Sequence, residues 1–166
     1  MKARLIVTAT LLLCATIAVA QLPNITFNGD LNATKMPQRI PDGYHDLNWS
    51  GFFYLVGYGM GLQQGTESNV AVTGLCGTHC PATLGTTRAS QAFNLYGAQI
   101  AGGWGNNTLT VMPMRNGAAI GVFVFQLTTT PIMIDFTQYW TGPVDSVVFT
   151  PSSGAVVFNC LSTDTN

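Results

Sequence analysis

Short segments rich in β-branched and aromatic residues, separated by turns of Gly, Pro, Asn and Ser, most strongly limit what this chain can fold into. Beyond residue 20, no stretch of about twelve residues repeats its apolar positions at three- and four-residue steps, as an amphipathic helix requires. The pattern predicts strands instead, because such runs between turn residues suit a half-buried sheet. We predict eight strands, at residues 50–55, 69–73, 93–99, 108–114, 119–128, 132–137, 144–150 and 155–161.

The connections between these segments indicate an antiparallel arrangement. Asn116-Gly117 predicts a two-residue hairpin, since this dipeptide is the strongest short-range hairpin signal. The last three predicted strands begin about eleven residues apart, which is typical of sandwiches and jelly rolls. Residues 119–128 are apolar on both faces and are predicted to form a central strand buried from both sides. We therefore expect an all-β fold, a single jelly-roll-like antiparallel β-sandwich.

The first twenty residues have the three parts of a secretory signal peptide. Lys2 and Arg4 give a basic start, residues 5–19 are almost all apolar, and Ala18-Val19-Ala20 fits the small-x-small cleavage pattern. The apolar run is too short for a helix that spans a membrane. We expect residues 1–20 to be a signal peptide and residues 21–166 to form one secreted, extracellular β-sandwich domain without a membrane span.

Charged side chains are scarce, and this excludes some classes of partner. The chain has six Lys and Arg against seven Asp and Glu; removal of Lys2 and Arg4 with the signal peptide leaves four against seven, a formal charge of −3. No basic cluster is present to bind phosphates, so neither nucleic acids nor anionic membrane surfaces are expected partners. Four sequons without a central proline predict an N-glycosylated surface; they lie at Asn24, Asn32, Asn48 and Asn106.

Three cysteines remain after cleavage of the signal peptide: Cys76, Cys80 and Cys160. An odd number predicts one disulfide and one thiol that is free or linked to another chain, as in a disulfide-linked dimer. The tight loop between Cys76 and Cys80 makes their pairing the first choice, with Cys160 as the alternative partner. The same cysteines with His79 could supply four zinc ligands, but thiolates in an oxidising compartment usually pair with each other.

Motifs at both ends of the mature chain resemble those of a protein group. ITFNGDL and IPDGYHDLNWSGFFYL stand near the start, and FNLYGAQIAGGW, LTVMPMRNG and PVDSVVFTPSSGAVVFNCLS stand near the end. This order resembles a broad group of small secreted fungal proteins, with relatives among exported bacterial proteins. The resemblance implies a jelly-roll β-sandwich like that of many carbohydrate-binding modules, and it implies no defined activity.

A structural calcium ion is the one metal that the resemblance suggests. In related jelly rolls the first and last strands lie side by side, and their acidic residues can hold calcium. Here only Asp30 and Asn159 stand at the matching positions, whereas calcium takes six to eight oxygen ligands, several of them from carboxylates. We therefore expect at most a weak calcium site and no other metal or cofactor.

Exposed aromatic rings are the best candidates for ligand contact, because the C–H faces of sugars stack on them. Trp104 lies among glycines, and Tyr139 and Trp140 precede a predicted strand, so these three are predicted to bind ligand. Trp49 is expected in the core, since large aromatic residues dominate core burial. Further rings either extend the binding surface or pack; they are Tyr54, Tyr58 and Tyr96.

No arrangement of residues indicates catalysis. The chain has no nucleophile-elbow pattern, and Asp42 and Asp46 are close only in sequence, with Asp42 interpreted as a turn residue after Pro41. We therefore expect no catalytic residues and a non-catalytic recognition protein that binds glycan of a cell wall or matrix. Two alternatives stay open: a small secreted fungal effector that acts on host surface proteins during colonisation, and a divergent polysaccharide hydrolase.

Overall fold

A computed structural model describes residues 24–29, 31–57, 69–75, 79–88 and 91–165, so the predicted signal peptide lies outside it. Within these ranges, no helix has the length and apolar character needed to cross a membrane. Two short 3-10 helices are present, at Tyr44–Asp46 and Phe136–Gln138. The strands are β1 (Asn24–Thr26), β2 (Gln38–Arg39), β3 (Leu47–Ser50), β4 (Phe53–Val56), β5 (Asn69–Thr73), β6 (Ala82–Thr86), β7 (Phe93–Gly102), β8 (Asn107–Arg115), β9 (Ala118–Ala119), β10 (Phe123–Leu127), β11 (Ile132–Asp135), β12 (Ser146–Pro151) and β13 (Val156–Thr165).

The strands form two antiparallel sheets packed face to face. The first sheet has the order β11-β7-β13-β5-β4-β2, with β1 paired to β13; the second has the order β10-β8-β12-β6-β3, with β9 paired to β8. Each strand pair is antiparallel, as in Ile25 opposite Leu161 at the junction of the first and last strands. The predicted all-β antiparallel sandwich is confirmed, and its first and last strands are neighbours, as the resemblance implies.

The core between the sheets is built on aromatic rings. Phe52, Phe149 and Phe158 are almost fully buried and meet edge to face, with ring centroids 5.1–5.8 Å apart. Trp49 is 3% exposed and its Nε1 donates a hydrogen bond to the carbonyl oxygen of Tyr44 at 2.8 Å. The prediction that Trp49 belongs to the core is therefore confirmed, and its polar edge is satisfied, as a buried indole requires.

The Asn-Gly turn is formed as predicted. Asn116 and Gly117 have φ angles of 52° and 74°, and they connect β8 to β9. Positive φ at both central residues is the geometry of a type I′ turn, whose twist matches that of the flanking strands.

The predicted central strand at residues 119–128 is wrong. The chain forms β9, leaves the sheet near Gly121, and returns as β10 at the edge of the second sheet. Val122 and Val124 are 61% and 59% exposed, whereas Phe125 is buried. An apolar run can lie at an edge because burial depends on the neighbouring strands. The strand whose second to fifth residues are all buried is β5 instead.

Another prediction failed where the chain crosses between sheets. Residues 50–55 do not form one strand, since β3 ends at Ser50 and β4 begins at Phe53. Gly51 stands between them with φ of 75°, and a Cβ there would come within 2.9 Å of the carbonyl oxygen of Pro81. This glycine permits the sharp crossing from the second sheet to the first.

We predict that Thr73→Val stabilises the protein. Thr73 is fully buried, and among the described residues its hydroxyl has no hydrogen-bond partner. Because valine keeps the shape and removes an unpaired polar group, the free energy of unfolding should rise by about 1 kcal/mol. Urea denaturation monitored by fluorescence measures this free energy of unfolding.

The control is Val72→Thr, at the fully buried position next to Thr73, whose side chain packs in the cluster with Leu55, Val70 and Val157. This variant adds a hydroxyl to the core and should lower the free energy of unfolding. A clear loss of stability in Thr73→Val would show that the native hydroxyl is hydrogen-bonded after all.

Candidate functional site

The three predicted ligand-binding residues do not form one surface. Trp104 lies in the turn after β7, while Trp140 lies beside Tyr96 near the start of the same strand. The six residue steps from Tyr96 to Gly102 span roughly 20 Å of extended chain. Trp104 is therefore at one end of the sandwich, and Tyr139 and Trp140 are at the other.

Trp140 is mostly used in packing. It is 9% exposed, and its ring stacks on Phe136 and Phe123 with centroids 4.9 and 5.7 Å away. Tyr139 is 43% exposed and touches Phe123 and Phe125 edge to face. Trp140 thus offers a ligand only a small part of its ring, whereas Tyr139 keeps much of its surface open.

A groove of about 140 Å³ runs along the start of β7, and we call it the Tyr96 groove. One wall comes from β7 and the other from the segment that follows β11. The lining residues are Asn94, Leu95, Tyr96, Thr137, Trp140, Thr141 and Gly142. Of the rings that could extend a binding surface, Tyr96 does line a groove, whereas Tyr54 is buried and donates to Gln38, and Tyr58 is outside the described residues.

A carboxylate on the neighbouring strand β13 is hydrogen-bonded to two residues that line this groove, Tyr96 and Asn94. The Tyr96 hydroxyl donates to Oδ2 of Asp164 at 2.5 Å, and the Asn94 side-chain and backbone N–H groups donate to Oδ1 at 2.8 and 3.3 Å. The hydrogen bond to Asp164, together with burial and the nearby charge, raises the pKa of Tyr96. Partial burial acts to raise the pKa of Asp164, but the hydrogen bonds from Tyr96 and Asn94 outweigh it and lower this pKa. Asp164 is therefore an ionised acceptor at neutral pH.

The wall opposite β7 is held by polar contacts at its beginning. Asp135 accepts hydrogen bonds from the backbone and hydroxyl of Thr137 at 3.0 and 2.6 Å and from Gln138 at 3.1 Å. The hydrogen bond from the Thr137 side chain, followed by that from Gln138, lowers the pKa of Asp135. These contacts fix the short 3-10 helix that carries Thr137.

The end of this wall is held by a cation and a strand bridge. Arg115 donates to the carbonyl oxygens of Thr141 and Pro143, both at 2.7 Å. Val144 then exchanges two backbone hydrogen bonds with Phe93, at 2.8 and 2.9 Å. The Tyr96 groove is consequently formed between two fixed walls, which reduces the entropy lost when a ligand is ordered there.

A second groove, of about 210 Å³, lies at the opposite end, between the turn after β7 and the turn after β12. Asn107 joins the two turns: its amide donates to the carbonyl oxygens of Ser153 and Ala155, and its Oδ1 accepts from Ser152. Trp104 is 61% exposed beside this groove. The turn after β7 is so tight that a Cβ at Gly102 would collide with the carbonyl oxygen of Gly105.

A broader depression of about 520 Å³ surrounds the turn between β2 and β3, where Arg39, Asp42 and Asn48 meet. Asp42 is an exposed turn residue, as predicted. The depression is lined in part by Trp49, but this side chain is buried in the core and offers almost no surface there.

Of the two predicted calcium ligands, Asn159 alone lies in the part of the chain that the structure describes. Asn159 donates its amide to the Gln99 side chain at 2.5 Å, and Asp30 is outside the described residues. No three His, Cys, Asp or Glu residues are grouped to hold a metal within the described ranges.

The cysteines correct one prediction. Cys80 is disulfide-bonded, and Cys160 is a free, half-buried thiol, so Cys160 is not its partner. With Cys80 engaged in a disulfide, the zinc alternative also loses a thiolate ligand. Cys76 is outside the described residues, so its pairing with Cys80 stays a prediction, as does a link between Cys160 and a second chain.

The four sequons have different surroundings. Asn32 and Asn106 are exposed. Asn48 is half-buried, and its Nδ2, the atom to which a glycan would be joined, donates to the carbonyl oxygen of Thr86 at 3.0 Å. Asn24 begins β1, and its side chain is not described.

The chain is thus an antiparallel β-sandwich with a groove at each end. No protein-family model matches it, and no curated protein matches it. It is similar to the crystal structure of a DUF4465 family protein from Bacteroides caccae, with 12% sequence identity and a TM-score of 0.52. The match covers 89% of this chain and 96% of that one. At this identity the likeness shows a shared fold alone, and it points to neither a fungal source nor a carbohydrate-binding module.

We predict that the stability provided by Asp164 depends on pH. Because its folded-state pKa is lowered, ionised Asp164 contributes stability above the ordinary aspartate pKa of about 3.9, and this contribution is lost as pH falls through the folded-state value. The thermal midpoint of the wild type should exceed that of Asp164→Asn at pH 7, and the gap should close as the pH falls below about 4. Thermal scans of both proteins between pH 2.5 and 7 measure this gap in thermal midpoint. Asp42→Asn is a charge-matched control. A gap that persists unchanged at the lowest pH would contradict the role of the ionised carboxylate.

Proposed function

We propose that this protein is a non-catalytic recognition module for extracellular carbohydrate, and that the Tyr96 groove binds the sugar. The observation that carries the proposal is that Tyr96 and Asn94, both hydrogen-bonded to Asp164, line one groove together with Trp140. Secretion, N-glycosylation and an extracellular ligand are parts of the same proposal, supported by the signal-peptide pattern and the sequons.

The polar groups suit sugar hydroxyls, which both donate and accept hydrogen bonds. An ionised carboxylate has about four acceptor sites, and the Tyr96 and Asn94 contacts use three of those on Asp164. One site therefore remains for a sugar hydroxyl. The hydroxyls of Thr137 and Thr141 lie on the other wall, where they can accept or donate.

The apolar surfaces suit the C–H faces of a sugar ring. Trp140 supplies part of one wall, and the neighbouring Tyr139 is the exposed ring at the rim. The groove of about 140 Å³ favours a single terminal sugar unit over an extended chain. Its walls are fixed before binding by Arg115 and Asp135, so few side chains lose freedom when the sugar binds.

We predict that binding to a glycan array, and to insoluble chitin, glucan or cellulose, depends on the Tyr96 groove. Tyr96→Phe removes one charge-assisted hydrogen bond, and Asp164→Asn removes the charge from three; both keep the side-chain shape, so affinity should fall about tenfold. Affinities are measured by titration of the best array ligand, and circular dichroism checks the fold. The matched control is Trp104→Ala, at the other end of the sandwich.

Unchanged glycan affinity in both Asp164→Asn and Tyr96→Phe would show that the Tyr96 groove is not the sugar-binding site. Loss of binding in Trp104→Ala alone would move the sugar site to the opposite end.

Recognition of a host protein is a second candidate function, favoured by the edge strand β10. Val124 on β10, Val122 just before it and Met133 on the edge strand β11 of the other sheet are each about 60% exposed or more, and residues 116–134 contain no charged side chain. Edge strands usually carry charges that prevent pairing with other chains. An uncharged edge instead suits β-strand addition by a partner protein, as an effector that binds host surface proteins would need.

We predict that, if this second function holds, Val124→Lys abolishes binding to the partner. The added charge on the edge strand should disfavour pairing, while sugar binding is unaffected. A host extracellular protein captured by the wild type would be purified. Biolayer interferometry would then measure its affinity for the wild type, for Val124→Lys and for Tyr96→Phe. Binding that survives in Val124→Lys but is lost in Tyr96→Phe would exclude the edge strand as the interface.

A further inference from the structure

The exposure of Trp104 requires an explanation that the Tyr96 groove does not supply. Its indole is 61% exposed, whereas Trp49 and Trp140 are 3% and 9% exposed. Within the described ranges, Trp104 makes no ring contact with another aromatic side chain. An indole held in solvent on a rigid turn is a flat apolar surface against which the C–H face of a sugar can stack.

A glycan acceptor lies two residues further along the same turn. The sequence Trp104-Gly105-Asn106-Asn107-Thr108 ends in a sequon without proline. Trp104 and Asn106 are both exposed and both line the groove at this end of the sandwich, whereas Asn107 is 6% exposed. Trp104 and the acceptor Asn106 therefore adjoin one groove.

We propose that Asn106 carries an N-linked glycan whose first N-acetylglucosamine unit lies against the indole of Trp104. The sugar would occupy the groove of about 210 Å³ that both residues line, next to Ser153 and Gly154. The C–H face of the sugar would cover the ring, and its hydroxyls would remain at the polar rim. This inference rests on the secretion and N-glycosylation of the proposed function but not on sugar binding, and it leaves the Tyr96 groove unoccupied.

The modification needs a donor that the secretory pathway supplies, a lipid-linked oligosaccharide diphosphate. A bond forms between Nδ2 of Asn106 and the anomeric carbon of the donor, and the anomeric C–O bond to the diphosphate breaks. The lipid diphosphate leaves with the bonding electrons, and the amide loses one proton.

The other sequons lack this arrangement. A leucine stands two residues before Asn24, and aspartates stand two residues before Asn32 and Asn48, so only Asn106 has an aromatic residue there. Asn48 also uses its Nδ2 as a donor to a backbone carbonyl oxygen.

The turn is fixed before any sugar is attached. Asn107 is hydrogen-bonded across to the turn after β12, and Gly102 allows the close approach of Gly105. The indole and the acceptor are thus preorganised, so contact with the sugar costs little additional chain entropy.

The test uses the full chain produced in a eukaryotic secretory host. Glycopeptide mass spectrometry should find Asn106 occupied. Loss of the glycan in Asn106→Gln should lower the thermal midpoint by about 3 °C, as expected for one modest contact in a domain of this size. In a Trp104→Ala background the same glycan loss should lower it by much less. Asn32→Gln is the matched control, since its effect should be the same with and without Trp104.

A second readout follows the indole itself. Trimming with an endoglycosidase that leaves one N-acetylglucosamine should keep Trp104 protected from acrylamide quenching, and Asn106→Gln should increase the quenching at least twofold. An unoccupied Asn106, equal midpoint losses in both backgrounds, or quenching that is unaffected by the glycan would each overturn the proposal. These outcomes leave binding at the Tyr96 groove unaffected, so the two proposals fail separately.

Discussion

Packing of two aromatic-lined sheets against each other is the constraint on which the rest of the structure depends. Phe52 comes from the crossing between β3 and β4, Phe149 from β12 and Phe158 from β13, and the three rings meet near the middle of the core. Burial of one such side chain stabilises the fold by about 2–3 kcal/mol. The described elements besides strands are two 3-10 turns, so the inner faces of the sheets must cover each other.

The Tyr96 groove is a consequence of closing one open side of this sandwich. The edge strands β10 and β11 belong to different sheets. The segment from Phe136 to Val144 follows β11 in the chain and lies between these two edge strands. Phe136 and Trp140 fill the gap at the edge of the core, which explains why Trp140 is buried. Thr137, Thr141 and Gly142 of this segment then line the groove opposite β7. The site is rigid because the element that forms it is also needed to seal the core.

Features fixed by a few adjacent residues could be predicted from the sequence, and features fixed by distant pairing could not. The turn at Asn116-Gly117 depends on two residues that tolerate positive φ, so it was predictable. Strand β6 (Ala82–Thr86) was missed because Leu84 is the only large apolar residue in ATLGT, so no apolar run marks it. Asp164 was missed as a site residue because its contact with Asn94 joins positions 70 apart in sequence. That contact depends on a register shift between β7 and β13, which no local pattern encodes.

The two ends of the sandwich offer a sugar different kinds of interaction. The Tyr96 groove is lined by polar side chains, among them Asn94, Tyr96 and Thr137, and directed hydrogen bonds from such groups would offset the entropy that a free ligand loses on binding. The Trp104 turn provides mainly one flat apolar ring, which gives a free sugar too little energy for tight binding. A sugar joined to Asn106 is instead held close to the ring at an effective concentration of the order of millimolar or higher. A weak stacking contact is then sufficient, so a single exposed indole suits an attached sugar better than a free one.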